Sequence, residues 1–111
     1  MDLATLIKEK YSEFINLCRS HRVDKMYAFG SSITDYFDPH TSDIDIVVKV
    51  DIDNTADRGE ALLSRGDKLE TLFNRKVDLL TEDSIRNPYL KLNITRTKQL
   101  IYDGEGEKVF V

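Results

Sequence analysis

From Leu3 to Cys18 the apolar residues fall at Leu3, Leu6, Ile7, Tyr11, Phe14, Ile15, Leu17 and Cys18, the spacing of one face of an amphipathic α-helix. One helix from Asp2 to His21 is therefore expected, with Asp2 as its cap and Arg19, His21 and Arg22 near its negative end. Val23 to Phe29 interleaves apolar residues with Asp24 and Lys25 and leads into Gly30-Ser31-Ser32. That pattern predicts a strand running into a turn. A helical turn is expected over Ile33 to Phe37, ended by Asp38-Pro39, because proline restricts both its own backbone and its predecessor's.

Ile44, Ile46, Val48 and Val50 then alternate with Asp43, Asp45, Val47 and Lys49. In a strand this sends the aliphatics to one face and both aspartates to the other. Asp51 to Asp57 is polar and acidic and reads as a connection, with Asn54 or Thr55 able to cap the next helix. Leu62, Leu63, Leu69, Leu72 and Phe73 recur at helical spacing through Asn74, a helix weakened by Gly59 and Gly66. Lys76 to Leu80 predicts a third strand, with Val77 and Leu79 on one face and Asp78 and Leu80 on the other. A final helix is expected from Asn87 to Arg96, with Pro88 in its first turn. Leu100 to Tyr102 predicts a closing strand, and Asp103-Gly104-Glu105-Gly106 a turn or tail. No repeat or linker divides the 111 residues, so one domain over 1–111 is expected.

Composition narrows the reading. A content of 41% hydrophobic and 32% charged residues is that of a folding domain. The net charge of -4 speaks against a nucleic-acid binder that works by neutralising phosphates. Cys18 is the only cysteine, which excludes an intrachain disulfide and suits a buried thiol. The chain carries no apolar stretch long enough to cross a membrane and no leader pattern at Met1 to Lys10. A cytoplasmic protein is expected.

The chemistry lies in three carboxylates. Asp43 and Asp45, two residues apart in a strand, project from the same face, and two like charges so placed repel and raise a pKa. A divalent cation removes that penalty, and Mg²⁺ favours carboxylate and phosphate oxygens together with water. Asp78 completes the set if its strand lies beside that of Asp45. Three carboxylates facing one pocket suit two metal ions, about 3.5–4 Å apart, acting on an in-line displacement at phosphorus. Gly30 and Ser31 come directly after the first strand, where a residue without Cβ lets backbone amides approach phosphate and a hydroxyl adds a donor.

Phe29-Gly30-Ser31, then Ser42-Asp43-Ile44-Asp45-Ile46-Val47-Val48, then Val77-Asp78-Leu79-Leu80 resemble the minimal nucleotidyltransferases of the DNA polymerase β superfamily, over most of the chain. The resemblance implies an α/β (α+β) fold, a small mixed β-sheet flanked by helices. It implies a nucleoside triphosphate with Mg²⁺, with Asp43 and Asp45 as metal ligands and Asp78 as ligand and base. Gly30, Ser31 and Ser42 fall at its nucleotide-binding positions. Eleven residues separate Ser31 from Asp43, one more than the family's usual spacing, and Ser32 to Asp35 replaces a segment often containing arginine. Lys76, Arg75 and Arg96 are the cations available in its place.

Members of this size are often paired with a helical HEPN protein, some in toxin–antitoxin systems where the nucleotidyltransferase adenylylates its partner. The expected activity is transfer of AMP from ATP to a hydroxyl of a protein or small molecule. The alternative is a non-catalytic, antitoxin-like subunit that masks a helical partner. Other chemistries fare worse. Asp51, Asp53, Thr55 and Asp57 suggest a Ca²⁺ loop, but Ala56 and Leu62 stand where that loop needs glycine and glutamate. His21 and His40 lack zinc-ligand spacing with Cys18, and no serine sits in a nucleophile elbow.

Overall fold

The computed structural model describes residues 3–21, 23–33, 38, 43–50, 66–81, 84–106 and 108–109, leaving aside the side chains of Ser31 and Val50. Asp2, Arg22, Tyr36, Pro39, His40, Ser42 and the whole 51–65 stretch lie outside them, and so do the expectations placed on those residues.

The expected first helix is two. Helix α1 spans Leu3–Glu9 and α2 spans Tyr11–Ser20, with Lys10 between them at φ -119°, ψ 30°. The Lys10 N–H bonds to the Ile7 carbonyl three residues back, the tighter spacing of a 3₁₀ turn. Leu3, Ile7, Phe14 and Cys18 are nonetheless all buried on one side. Ile7 and Phe14 are two turns apart, so the apolar period passes through the break unchanged and carries no sign of it. Tyr11, expected on the apolar face, is exposed. At the end of α2 the His21 ring nitrogen lies 2.9 Å from the Leu17 carbonyl, as its place near the negative helix end favours.

The remaining elements run in chain order. Strand β1 spans Val23–Phe29, β2 spans Ile44–Val50 and β3 spans Val77–Thr81. Residues 66–73 form helix α3, ended by Asn74 at φ 52°, a conformation asparagine tolerates better than most residues. Helix α4 spans Pro88–Thr97 and is capped by Asn87, whose Oδ1 accepts from the N–H groups of Tyr89 and Leu90. Strand β4 spans Gln99–Asp103 and β5 spans Lys108–Val109. The expected turn or tail is thus a turn into a short edge strand. Two residues offer no alternation from which to read it.

Among the described residues the five strands make one mixed sheet in the order β3-β2-β1-β4-β5. Only β2 and β3 run parallel. The larger core lies on one face, where α1, α2 and α3 bring Leu3, Ile7, Phe14, Cys18, Leu69 and Phe73 against Met26, Ala28, Ile44, Ile46 and Tyr102. Phe14 is its centre, with ring centroids 6.1 Å from Phe73 and 6.3 Å edge-on from Tyr102, spacings at which aromatic pairs attract. The second face carries a smaller cluster, Val47, Ile85 and Ile94, with Phe29 and Leu80 packed against it. Cys18 is buried, as expected. No helix among the described residues is long and apolar enough to cross a membrane.

The turn after β4 is locked against β1. The Gly104 N–H bonds to the Asp24 carbonyl at 2.7 Å, and Asp103 Oδ1 accepts the Glu105 N–H at 3.0 Å. A Cβ on Gly104 would collide with the Val23 carbonyl oxygen, a backbone atom that cannot swing aside. Gly104→Ala is therefore expected to cost about 1–3 kcal/mol, read as a lower urea midpoint with an unchanged slope. A midpoint equal to the parent's would show that the turn yields freely.

Candidate active site

Three strand ends meet at one corner of the second face. Because β1 runs antiparallel to β2, the end of β1 lies at the start of β2, and Phe29 pairs with Asp45. The parallel pairing of β2 with β3 sets Asp45 against Asp78. In a pleated sheet directly paired residues present their side chains on the same face, close enough for Asp78 to act on the Asp45 carboxyl. The alternation read from the sequence thus brings two aspartates from different strands together. Asp43, exposed on the residue before β2, adds its charge to theirs. Among the described residues, no three carboxylate, imidazole or thiolate side chains are drawn into a ready-made metal cage.

Gly30 to Ile33 form a 3₁₀ turn directly on the end of β1, where Gly30-Ser31-Ser32 predicted a turn; the helical turn expected over 33–37 lies, beyond Ile33, outside the described residues. Its position is set by contacts to Asp45. Gly30 has φ 63°, and a Cβ there would come 2.6 Å from Asp45 Oδ2. Glycine is required for both reasons, the left-handed backbone and the close approach. Ser32, only 3% exposed, accepts the Asp45 N–H on its Oγ at 2.8 Å. In the sequence Ser32 reads as part of the turn and of a segment that departs from the family pattern, and this role is missed. Its position just past a strand that pairs antiparallel with β2 is the signal, legible only once that pairing is known.

Of the other site residues, Ser31 lies in the turn and Ser42 lies outside the described residues. Arg75 is at the junction of α3 and β3, its Nε buried without a hydrogen-bond partner among the described residues. Lys76 is exposed. Arg96 is exposed on α4, on the side away from buried Ile94.

Electrostatics result from this packing. Burial, then the charge of Asp78, its hydrogen bond and the charge of Asp43 push the Asp45 carboxyl up to about 6. Two carboxyl groups in hydrogen-bond contact share a proton or else repel. Their oxygens are hard donors, and a divalent cation resolves the same conflict without the proton. The residues present therefore fit Mg²⁺.

The nucleotidyltransferase domain family matches residues 11–101. The chain belongs to that family. This nucleotidyltransferase is 44% identical over 61 residues to a candidate protein adenylyltransferase of Methanocaldococcus jannaschii, a match covering 55% of this chain and 58% of the relative's length. A solved candidate minimal nucleotidyltransferase superposes with a TM-score of 0.60 at 26% identity, over 89% of this chain and 95% of its own. A complex of tri-AMPylated Shewanella oneidensis HEPN toxin with MNT antitoxin gives a TM-score of 0.58 at 22% identity, over 89% and 74%. The last likeness is one of fold. The kinship with minimal nucleotidyltransferases expected from the three motifs holds, as does the small mixed α/β architecture.

A carboxyl whose folded pKa is raised contributes stability that is fully present below its unfolded value of 3.8 and lost as pH rises through about 6. An asparagine at the same place keeps a hydrogen bond to Asp78 and has no charge to lose. In chelator, Asp45→Asn is expected to melt above the parent, with the gap opening between pH 3.8 and about 6. Parallel melting curves across that window would mean that Asp45 is not strained by its neighbours.

Proposed function

We propose that this nucleotidyltransferase moves AMP from ATP to a hydroxyl of a protein, in the cytoplasm, with a helical HEPN-like protein as its partner. The observation that carries this reading is the cross-strand pairing of Asp45 with Asp78 beneath the Gly30 turn. The nature of the archaeal relative and the AMPylated toxin in the Shewanella complex support protein as acceptor and HEPN as partner.

In this reading Asp43, Asp45 and Asp78 hold Mg²⁺. Bound Mg²⁺ supplies neutralisation of triphosphate charge and of the charge that develops on the leaving pyrophosphate. The backbone of Gly30 and Ser31, with Ser42, binds phosphate oxygens. Gly30 suits this because its missing side chain leaves the turn flush against Asp45. Ser32 keeps the start of β2 in place through the Asp45 N–H. The acceptor oxygen attacks the α-phosphorus, the bond from that phosphorus to the bridging oxygen breaks, and pyrophosphate departs. Asp78 takes the acceptor's proton. It comes from a different strand from Asp43 and Asp45 and is exposed, so an incoming hydroxyl reaches it.

Asp43→Asn combined with Asp45→Asn is expected to abolish metal-dependent ATP binding in calorimetry while the far-UV spectrum stays that of the parent. Asp78→Asn is expected to lower transfer of an α-phosphate label by about 10²–10⁴, the usual worth of general-base assistance, with a much smaller change in ATP affinity. Metal-dependent binding retained by the folded double variant removes the metal assignment. Transfer within a few-fold of the parent in Asp78→Asn removes the base.

A further inference from the structure

Helix α4 is held to the sheet by a narrow contact. Ile94 is its buried residue, seated with Ile85 against Val47, Leu80 and Phe29. On the opposite side, Tyr89, Leu92 and Arg96 fall at helical spacing of three and four, one row along the outer face. Tyr89 is 84% exposed and Leu92 49%. Large apolar side chains grouped in this way mark a surface that another molecule covers.

Charge indicates what that molecule is. From Ser84 to Tyr102 the sequence has no acidic residue, yet it contains Arg86, Lys91, Arg96 and Lys98 in a chain of net charge -4. Arg86, Lys91 and Arg96 are exposed, and among the described residues the ion pairs lie elsewhere, at Lys25 and Lys49. Lys98 sits over the Tyr27 ring at 4.1 Å and belongs to the fold. A basic border around exposed Tyr and Leu complements a partner face that is apolar with carboxylates around it. A polynucleotide fits less well. Its phosphates would lie beside the aspartate corner, and its surface offers little to bury Leu92.

Position ties this face to the site. Val47 and Leu80 pair with one another two residues beyond Asp45 and Asp78, about 7 Å along the strands. Helix α4 therefore stands beside the aspartate corner on the same face of the sheet. We propose that the outer face of α4, centred on Tyr89 and Leu92 and bordered by Arg86 and Lys91, is the docking surface for the acceptor protein, which meets it through an apolar patch flanked by carboxylates. The inference rests on the reading that this chain transfers a nucleotide to protein.

The test has two arms. In the first, α-phosphate-labelled ATP and Mg²⁺ are added to host lysate with the parent, with Tyr89→Ala plus Leu92→Ala, with Arg86→Glu plus Lys91→Glu, and with Lys68→Glu, at an exposed position of α3, as control. Both α4 variants are expected to label protein about tenfold less, the loss typical of an interface anchor, with ATP affinity unchanged and the control equal to the parent. In the second, the ¹⁵N-labelled chain is titrated with a helical peptide carrying leucines on one face and glutamates beside them. Shifts confined to residues 86–96 and lost in both α4 variants are expected. Labelling that survives both α4 variants, or that enters RNase-sensitive material, overturns the docking surface alone. Peptide binding at α4 without any labelling by the parent keeps the surface and removes the transfer reading. Neither labelling nor binding removes both, and so does binding of an RNA oligonucleotide in preference to the peptide together with absent protein labelling.

Discussion

Strand β2 is hydrogen-bonded on both sides, antiparallel to β1 and parallel to β3, and the position of every group near the aspartates depends on that double pairing. The antiparallel side brings the Gly30 turn to the start of β2. The parallel side brings Asp78 to Asp45. A slip of one residue in either register would turn an aspartate to the opposite face, among Ile44, Ile46 and Val77. Those three are buried in the larger core, so the slip would bury an unpaired charge and expose aliphatics. The apolar face of the sheet therefore enforces the register that assembles the polar one.

That enforcement has to outweigh a local penalty. Asp45 is pushed up to about 6 chiefly by burial and by Asp78, so near neutral pH the corner is a point of repulsion when no cation is present. The opposing support comes from the other face, where Phe14 packs against both Phe73 and Tyr102 and joins α2 to α3 and β4. Ser32 adds a buried hydrogen bond within the corner itself, which spares the Asp45 N–H the cost of being left unsatisfied. Repulsion confined to one corner is thus tolerated by a core that does not include it.

Much of this architecture is legible in the sequence because strand alternation has a period of two that survives any tertiary arrangement. Asp43, Asp45 and Asp78 can be placed on strand faces from Ile44, Ile46, Val77 and Leu79 alone. Pro88 announces α4 for an equally local reason, a residue with no N–H to lose in a helix's first turn. The features that escape are set by contacts distant in sequence. Lys10 breaks a helix whose apolar stripe continues in phase across the break. Ser32 acts on a residue thirteen positions away. Val47 alternates with the aliphatics and reads as the polar-side partner of Asp45, yet it is buried because Ile94 of α4 covers it. No local pattern announces that a later helix returns to that face.

The covering of Val47 also bears on the chemistry of the corner. Asp45 and Val47 share a face of β2, as Asp78 and Leu80 share one of β3, so the apolar cluster under α4 begins where the carboxylates end. The cluster of Val47, Leu80 and Ile94 borders the pair along the strands, and burial is the first cause of the raised Asp45 pKa. Lower local polarity strengthens the attraction of the same carboxylates for a cation as much as it strengthens their mutual repulsion. Helix α4 thus bounds the site from its inner face, independently of anything its outer face binds. The two effects are separable in the molecule itself, since Ile94 and Leu92 point in opposite directions from the same two turns of helix.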